Sequence, residues 1–168
     1  MTTLIALDVH YFPDESVRAA GVAFTGWQAS APQARWVVRG EEAAAYVPGN
    51  FAERELPYLL DLLAQAPAAP DLVLVDGNAW NAPGVPGLGA RLFDALGGST
   101  PVVGVAKKRL RGVEAESVLR GRSKNPLFVT TAGLDAGGAA RQVASMAGPH
   151  RIPTMLKLVD QLARGTVS

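Results

Sequence analysis

Cysteine is absent from the chain. That excludes disulfides, thiolate nucleophiles, iron–sulfur clusters and cysteine-ligated zinc. Histidine is scarce, with only His10 and His150, too few for a histidine-rich metal site. Any metal is then held mainly by oxygen, which favours magnesium or manganese. Charged residues are only 18% of the 168 positions, against 48% hydrophobic ones. A disordered chain would show the opposite balance. No apolar run reaches the roughly 18 residues that a membrane span needs. The opening MTTLIALDVHYF lacks the basic flank of a secretory signal and meets Asp8 and His10 early. A chain with no membrane segment is expected, located in the cytoplasm.

The length suits a single domain over residues 1–168, since domains run to roughly 100–200 residues. Such a chain buries about 70% of its unfolded surface and needs no covalent staple. Its 18 Gly and 12 Pro follow no collagen-like period and predict a turn-rich fold. Net charge is only +1, but residues 1–100 hold 5 basic and 11 acidic residues, whereas 101–168 hold 11 basic and 4 acidic. Seven of the basic residues fall between Lys107 and Lys124. This division suits an acidic, metal-holding half and a basic half facing phosphate; the alternative is a solvated basic loop.

Leu4–Phe12, Ala19–Trp27 and Ala34–Arg39 read as strands, with connections short enough for an antiparallel meander. Asn50 and Glu53 form a potential capping box. The helix FAERELPYLLDLLAQ follows, kinked at Pro57 or starting near it. Asp71–Val75 is a short, continuously apolar strand of the kind found in the middle of a parallel sheet. A Gly/Pro-rich loop at 78–86 leads to a helix near Leu88–Leu96. Strands at Pro101–Ala106 and Pro126–Thr131 come next, then helices at Asp135–Met146 and Thr154–Arg164. The order predicts an α/β fold: a mixed sheet whose first three strands are antiparallel, with helices on both faces. In such sheets function collects at the carboxyl ends of the parallel strands, where Asp76 and Lys107 stand.

Four carboxylates hold the chemical interest, and each has a plain structural use. Asp8 lies in an apolar strand, where an unpaired charge is costly; as a strand-end residue it would cap a loop or pair with a base. Asp76 precedes Gly77 in an ordinary Asp-Gly turn. Glu55 complements a helix dipole. Asp160 is placed to pair with Arg164 four residues on. Together the four allow another reading, convergence on a divalent ion that also takes phosphate oxygens. Lys107 would add a fixed positive charge to that phosphate. The chemistry implied is phosphodiester hydrolysis.

YVPGNFAERELP, PDLVLVDG, TPVVGVAKKRLRG and RIPTMLKLVDQLARG, in this order and at these separations, resemble the endonuclease V family. The opening LDVHY is similar to its first-strand motif. The likeness runs over about residues 4 to 165. It implies a ribonuclease H-like fold and an enzyme that cuts on the 3′ side of deaminated bases, chiefly inosine, using Mg2+ or Mn2+. It further implies that Asp8, Glu55, Asp76 and Asp160 surround the metal and that Lys107 is the active-site lysine. Tyr46, Val47, Pro48 and Gly49 match the family's wedge turn, whose ring replaces the stacking lost when a base is flipped out; an ordinary half-buried turn aromatic is the alternative. Gly77 and Lys108 are expected to touch substrate. The partner implied is DNA or RNA carrying a deaminated base.

The chain departs from the family pattern after Gly77. It reads NAWNAPGVPGLGARL, with Ala82 and Gly84 where a histidine and an arginine are expected. Trp80 in that segment either stacks on a base or plugs the loop onto the core. Two other readings remain at this point: a nucleic-acid-binding module on the same fold that does not cut, and a hydrolase of small nucleotides.

Overall fold

Three long strands open the chain: β1 (Thr3–Tyr11), β2 (Val17–Thr25) and β3 (Ala34–Gly40). Consecutive antiparallel pairing, with Asp8 opposite Ala20 and Ala20 opposite Val37, makes the expected meander. The computed structural model describes residues 2–40 and 51–168. The wedge residues Tyr46, Val47, Pro48 and Gly49, like Asn50, lie outside the described residues.

Helix α1 (Phe51–Ala64) runs through Pro57, which is exposed. The missing proline N–H costs the helix a bond, but the apolar stripe of Leu59 and Leu62 on the opposite side stays buried. After it come β4 (Leu72–Asp76), a two-stranded hairpin of β5 (Trp80–Ala82) and β6 (Val85–Pro86), α2 (Leu88–Ala95) and β7 (Val102–Ala106). Then follow β8 (Glu116–Val118), β9 (Leu127–Ala132), α3 (Ala136–Ser145) and α4 (Thr154–Arg164). The hairpin and β8 are additions to the sequence expectation. Both are too short and too rich in Pro, Gly or charge to show a strand period.

The main sheet has seven strands in the order β3-β2-β1-β4-β7-β9-β8. Only β1–β4 and β4–β7 are parallel. The apolar runs of β4 and β7 occupy the middle, buried on both faces as their composition predicts. One face, with Ile5, Leu7, Val73 and Val75, packs on Leu59 and Leu62 of α1 and Leu92 of α2. The other, with Leu4, Ala6, Val22 and Val103, packs on Val143 of α3 and Met155, Val159 and Leu162 of α4. This is the mixed α/β architecture that was expected, with helices on both faces. Among the described residues, no helix is long and apolar enough to cross a membrane.

Candidate active site

Strand alternation puts Asp8 on the face of β1 that carries Leu4 and Ala6, the face covered by α4. Asp76 closes β4, beside β1 and in the middle of the sheet. Asp160 lies one residue beyond the buried Val159 of α4. These three carboxylates line a small cavity of about 70 Å³, together with Lys107 from the end of β7 and an apolar wall that includes Leu127, Ile152 and Leu156. Glu55 approaches from α1; it does not line the cavity, but its charge acts on Asp8.

The electrostatics tie the four acids together. Burial pushes Asp8 up from 3.8 to about 8, and the charges of Asp76, Asp160 and Glu55 push the same way. The Val9 amide donates to Asp8 Oδ1 at 2.9 Å and opposes the shift. Burial also raises Glu55, to about 7, with Asp76 adding to the rise and Arg54 opposing it. Asp76 opens toward solvent at its outer edge, yet enclosure by the surrounding elements raises it, while Lys107 pulls it down. Asp160 accepts from Arg164 Nε at 3.0 Å, which is the i,i+4 pair read from the sequence. Asp160 thus pairs along its helix, while its charge also reaches Asp8 and Asp76.

Concentrated negative charge in a partly enclosed cavity is costly unless a cation offsets it. The donor set, oxygen alone, fits a hard divalent ion. The four groups act on one another without being drawn to ligand spacing: among the described residues, no three Asp, Glu or His side chains are gathered closely enough to hold one ion.

Backbone devices position these groups, beginning with the Asp-Gly turn expected after Asp76. Gly77 takes a φ of 115°, a conformation that favours glycine, and so turns the chain back immediately after Asp76. The returning loop lies on β7 at Gly104, where a Cβ would meet the Gly77 carbonyl oxygen at 2.6 Å and the Ala79 nitrogen at 2.8 Å. Thr130 Oγ1 then accepts from the Ala79 amide at 2.7 Å. Trp80 Nε1 donates to the Thr131 carbonyl at 2.8 Å, so the plug reading of Trp80 describes its position.

Lys107 is anchored through its own carbonyl, which accepts from Arg151 Nη2; the same nitrogen reaches the Pro126 carbonyl at 2.9 Å. Arg120 in turn is buried and donates to the carbonyls of Met146, Gly148, His150 and Arg151. Two arginines thus fix the lysine strand end and the entry to α4. Lys108 is exposed and does not line the cavity. Arg54 stands 3.7 Å over the Tyr11 ring, joining the start of α1 to the end of β1 beside Glu55.

The Endonuclease V family profile matches residues 1–149. The chain belongs to the Endonuclease V family. It is 33% identical to the Endonuclease V of Azotobacter vinelandii over 76% of this chain, a match spanning 66% of that relative. It is 32% identical to the Endonuclease V of Xanthomonas axonopodis pv. citri over 98% of this chain and 78% of the relative. The crystal structure of Endonuclease V from Streptomyces avermitilis superposes with a TM-score of 0.81 at 27% identity, covering 98% of this chain and 80% of that one. Endonuclease V from Ciona intestinalis, solved with a 24mer DNA containing an inosine followed by a ribo-adenosine, shares the fold. Its TM-score is 0.84 at 19% identity, with 98% and 85% of the two chains covered. The ribonuclease H-like architecture expected for an Endonuclease V is therefore the one this chain adopts.

Proposed function

We propose that this Endonuclease V chain is a metal-dependent endonuclease. It hydrolyses a phosphodiester on the 3′ side of deaminated bases, inosine foremost, in DNA or RNA, and serves nucleic-acid repair in the cytoplasm. The observation that carries this reading is that Asp8, Glu55 and Asp76 are all raised, by burial first and by a neighbouring carboxylate next, beside a cavity edged by Lys107. Asp8 and Asp76 would be the main holders of Mg2+ or Mn2+, with Glu55 and Asp160 contributing directly or through water. A bound ion of this kind acidifies water and screens charge developing on the phosphate. The chain's own residues do the rest. Lys107 places a fixed positive charge at the cavity rim, where a phosphate oxygen would lie. Leu127, Ile152 and Leu156 form an apolar wall that limits water on one side. Arg151 and Arg120 hold Lys107 and α4 in register.

The test is a nicking assay with Mn2+ on inosine-containing and plain strands. The parent should nick the inosine strand. Asp76→Asn should lose nicking by at least about a hundredfold, the scale of one essential catalytic group, while still binding the strand. Cleavage by Asp76→Asn at the parent rate would overturn the reading. The non-cleaving module is favoured by the acids themselves, no three of which, among the described residues, are gathered closely enough to hold one ion. It predicts binding without nicking under any divalent ion.

A further inference from the structure

A second charged surface lies on the same sheet face as Asp8, displaced toward the β3 edge. Arg18 on β2 is the direct cross-strand partner of Arg39 on β3, and Arg35 follows on β3 with the same side-chain parity. Val37, between Arg35 and Arg39, packs into the α4-side core, which places all three arginines on that face. They line a groove of about 630 Å³ with Leu162 and Gly165 at the end of α4. Like charges directly opposite on neighbouring strands are destabilising, and among the described residues no carboxylate lies within ion-pair distance of any of the three. Arg18 is held rather than mobile. Its guanidinium stands 5.7 Å from the Phe12 ring centre, a Cβ at Gly165 would strike its Nη1, and its Nε is enclosed without a hydrogen-bond partner. Arg35 and Arg39 are exposed. The same helix α4 reaches both places: Leu162 and Gly165 at its end line the groove, and Asp160 lines the carboxylate cavity.

We infer that the Arg18–Arg35–Arg39 groove binds the phosphodiester backbone of the nucleic-acid substrate, carrying the strand away from the cavity toward the β3 edge. The inference rests on the endonuclease reading for the identity of the strand. Its chemistry is that of a row of planar, permanently charged donors, which suits repeated phosphates. Charge that no described carboxylate pairs, and that costs the free sheet, becomes an asset when a polyanion lies on it. No base edge need be read there, so binding at this groove is indifferent to sequence and sensitive to salt.

The test compares binding of plain single strands by the full chain, by Arg35→Ala/Arg39→Ala and by Arg35→Lys/Arg39→Lys, across a salt series. Arg141→Ala, an exposed change on α3, serves as control. Losing two phosphate contacts should lower the slope of log K against log salt by about 1.4, at about 0.7 per contact. The Lys pair should retain most of the slope and the control all of it. Thermal unfolding should find the Ala pair at least as stable as the parent, since a like-charge opposition has gone. Unchanged slope and affinity in the Ala pair would overturn the groove and leave the endonuclease reading standing. A parent that binds with the expected slope change but never nicks inosine strands would keep the groove and remove that reading.

Discussion

Replacing Asp8 by Asn should make the protein more stable at alkaline pH while abolishing its activity. Asp8 is raised from 3.8 to about 8 by burial and by three neighbouring carboxylates. Between about pH 4 and about pH 8 the folded protein therefore keeps a proton that the unfolded chain has released. Stability is full below the unfolded pKa and falls as pH rises through the folded one. A rise of that size, at about 1.4 kcal/mol per pH unit, corresponds to about 6 kcal/mol for a fully enclosed group. Asp8 keeps partial access to solvent, so about 2–3 kcal/mol is the expected gain when the charge is removed. Asn retains an oxygen to accept from the Val9 amide and nearly the same volume. For a chain of this length the gain corresponds to a rise of about 4–10 °C in Tm. The assay is thermal unfolding followed by circular dichroism, in chelator, at about pH 8.5 and stepwise down to about pH 4. The advantage of Asp8→Asn should shrink on acidification and vanish at the low end. Mn2+ should raise the Tm of the parent at alkaline pH, by mass action on the folded state, and should leave the variant nearly unmoved. Equal or lower Tm for the variant at alkaline pH would refute the electrostatic account of the cavity.

Three further outcomes are expected. Gly104→Ala should destabilise by about 2 kcal/mol or more in urea titration, because its Cβ meets backbone atoms that cannot swing away. Arg151→Met leaves the Lys107 and Pro126 carbonyls without their donor; it should cost about 1–3 kcal/mol and lower kcat more than it alters KM, as steady-state nicking would show. Trp80→Phe gives up the bond to the Thr131 carbonyl and should lower stability by about 1 kcal/mol by the same titration.

The strands and helices that frame the site were legible because their patterns are long or continuous. The apolar run ending at Asp76 and the run ending at Ala106 read as central strands. The bounds read for the last helix, Thr154–Arg164, are those of α4. Pro57 was read as a kink or a late start, whereas the helix continues because burial of its opposite face outweighs one lost bond. The β5–β6 hairpin and β8 escaped because two or three residues carry no period. At the site, residue type and the family resemblance pointed to Asp8, Glu55, Asp76 and Asp160 converging near Lys107; Asp8, Asp76, Asp160 and Lys107 do line one cavity, and Glu55 stands outside its lining. Arg120 and Arg151 left no trace in the sequence. Their partners are backbone carbonyls, which every residue possesses, brought near by folding from 25 or more positions away. The arginines of β2 and β3 were hidden for another reason: in sequence they are isolated single charges, and only strand register brings Arg18 opposite Arg39.

Helix α4 is the last element and packs across the first two strands, carrying Asp160 to a residue near the opposite chain end. Asp8 and Asp160 therefore line one cavity from nearly opposite ends of the described sequence. Synthesis must therefore pass α4 before the sheet face that it covers, or the cavity that Asp160 lines, can be complete.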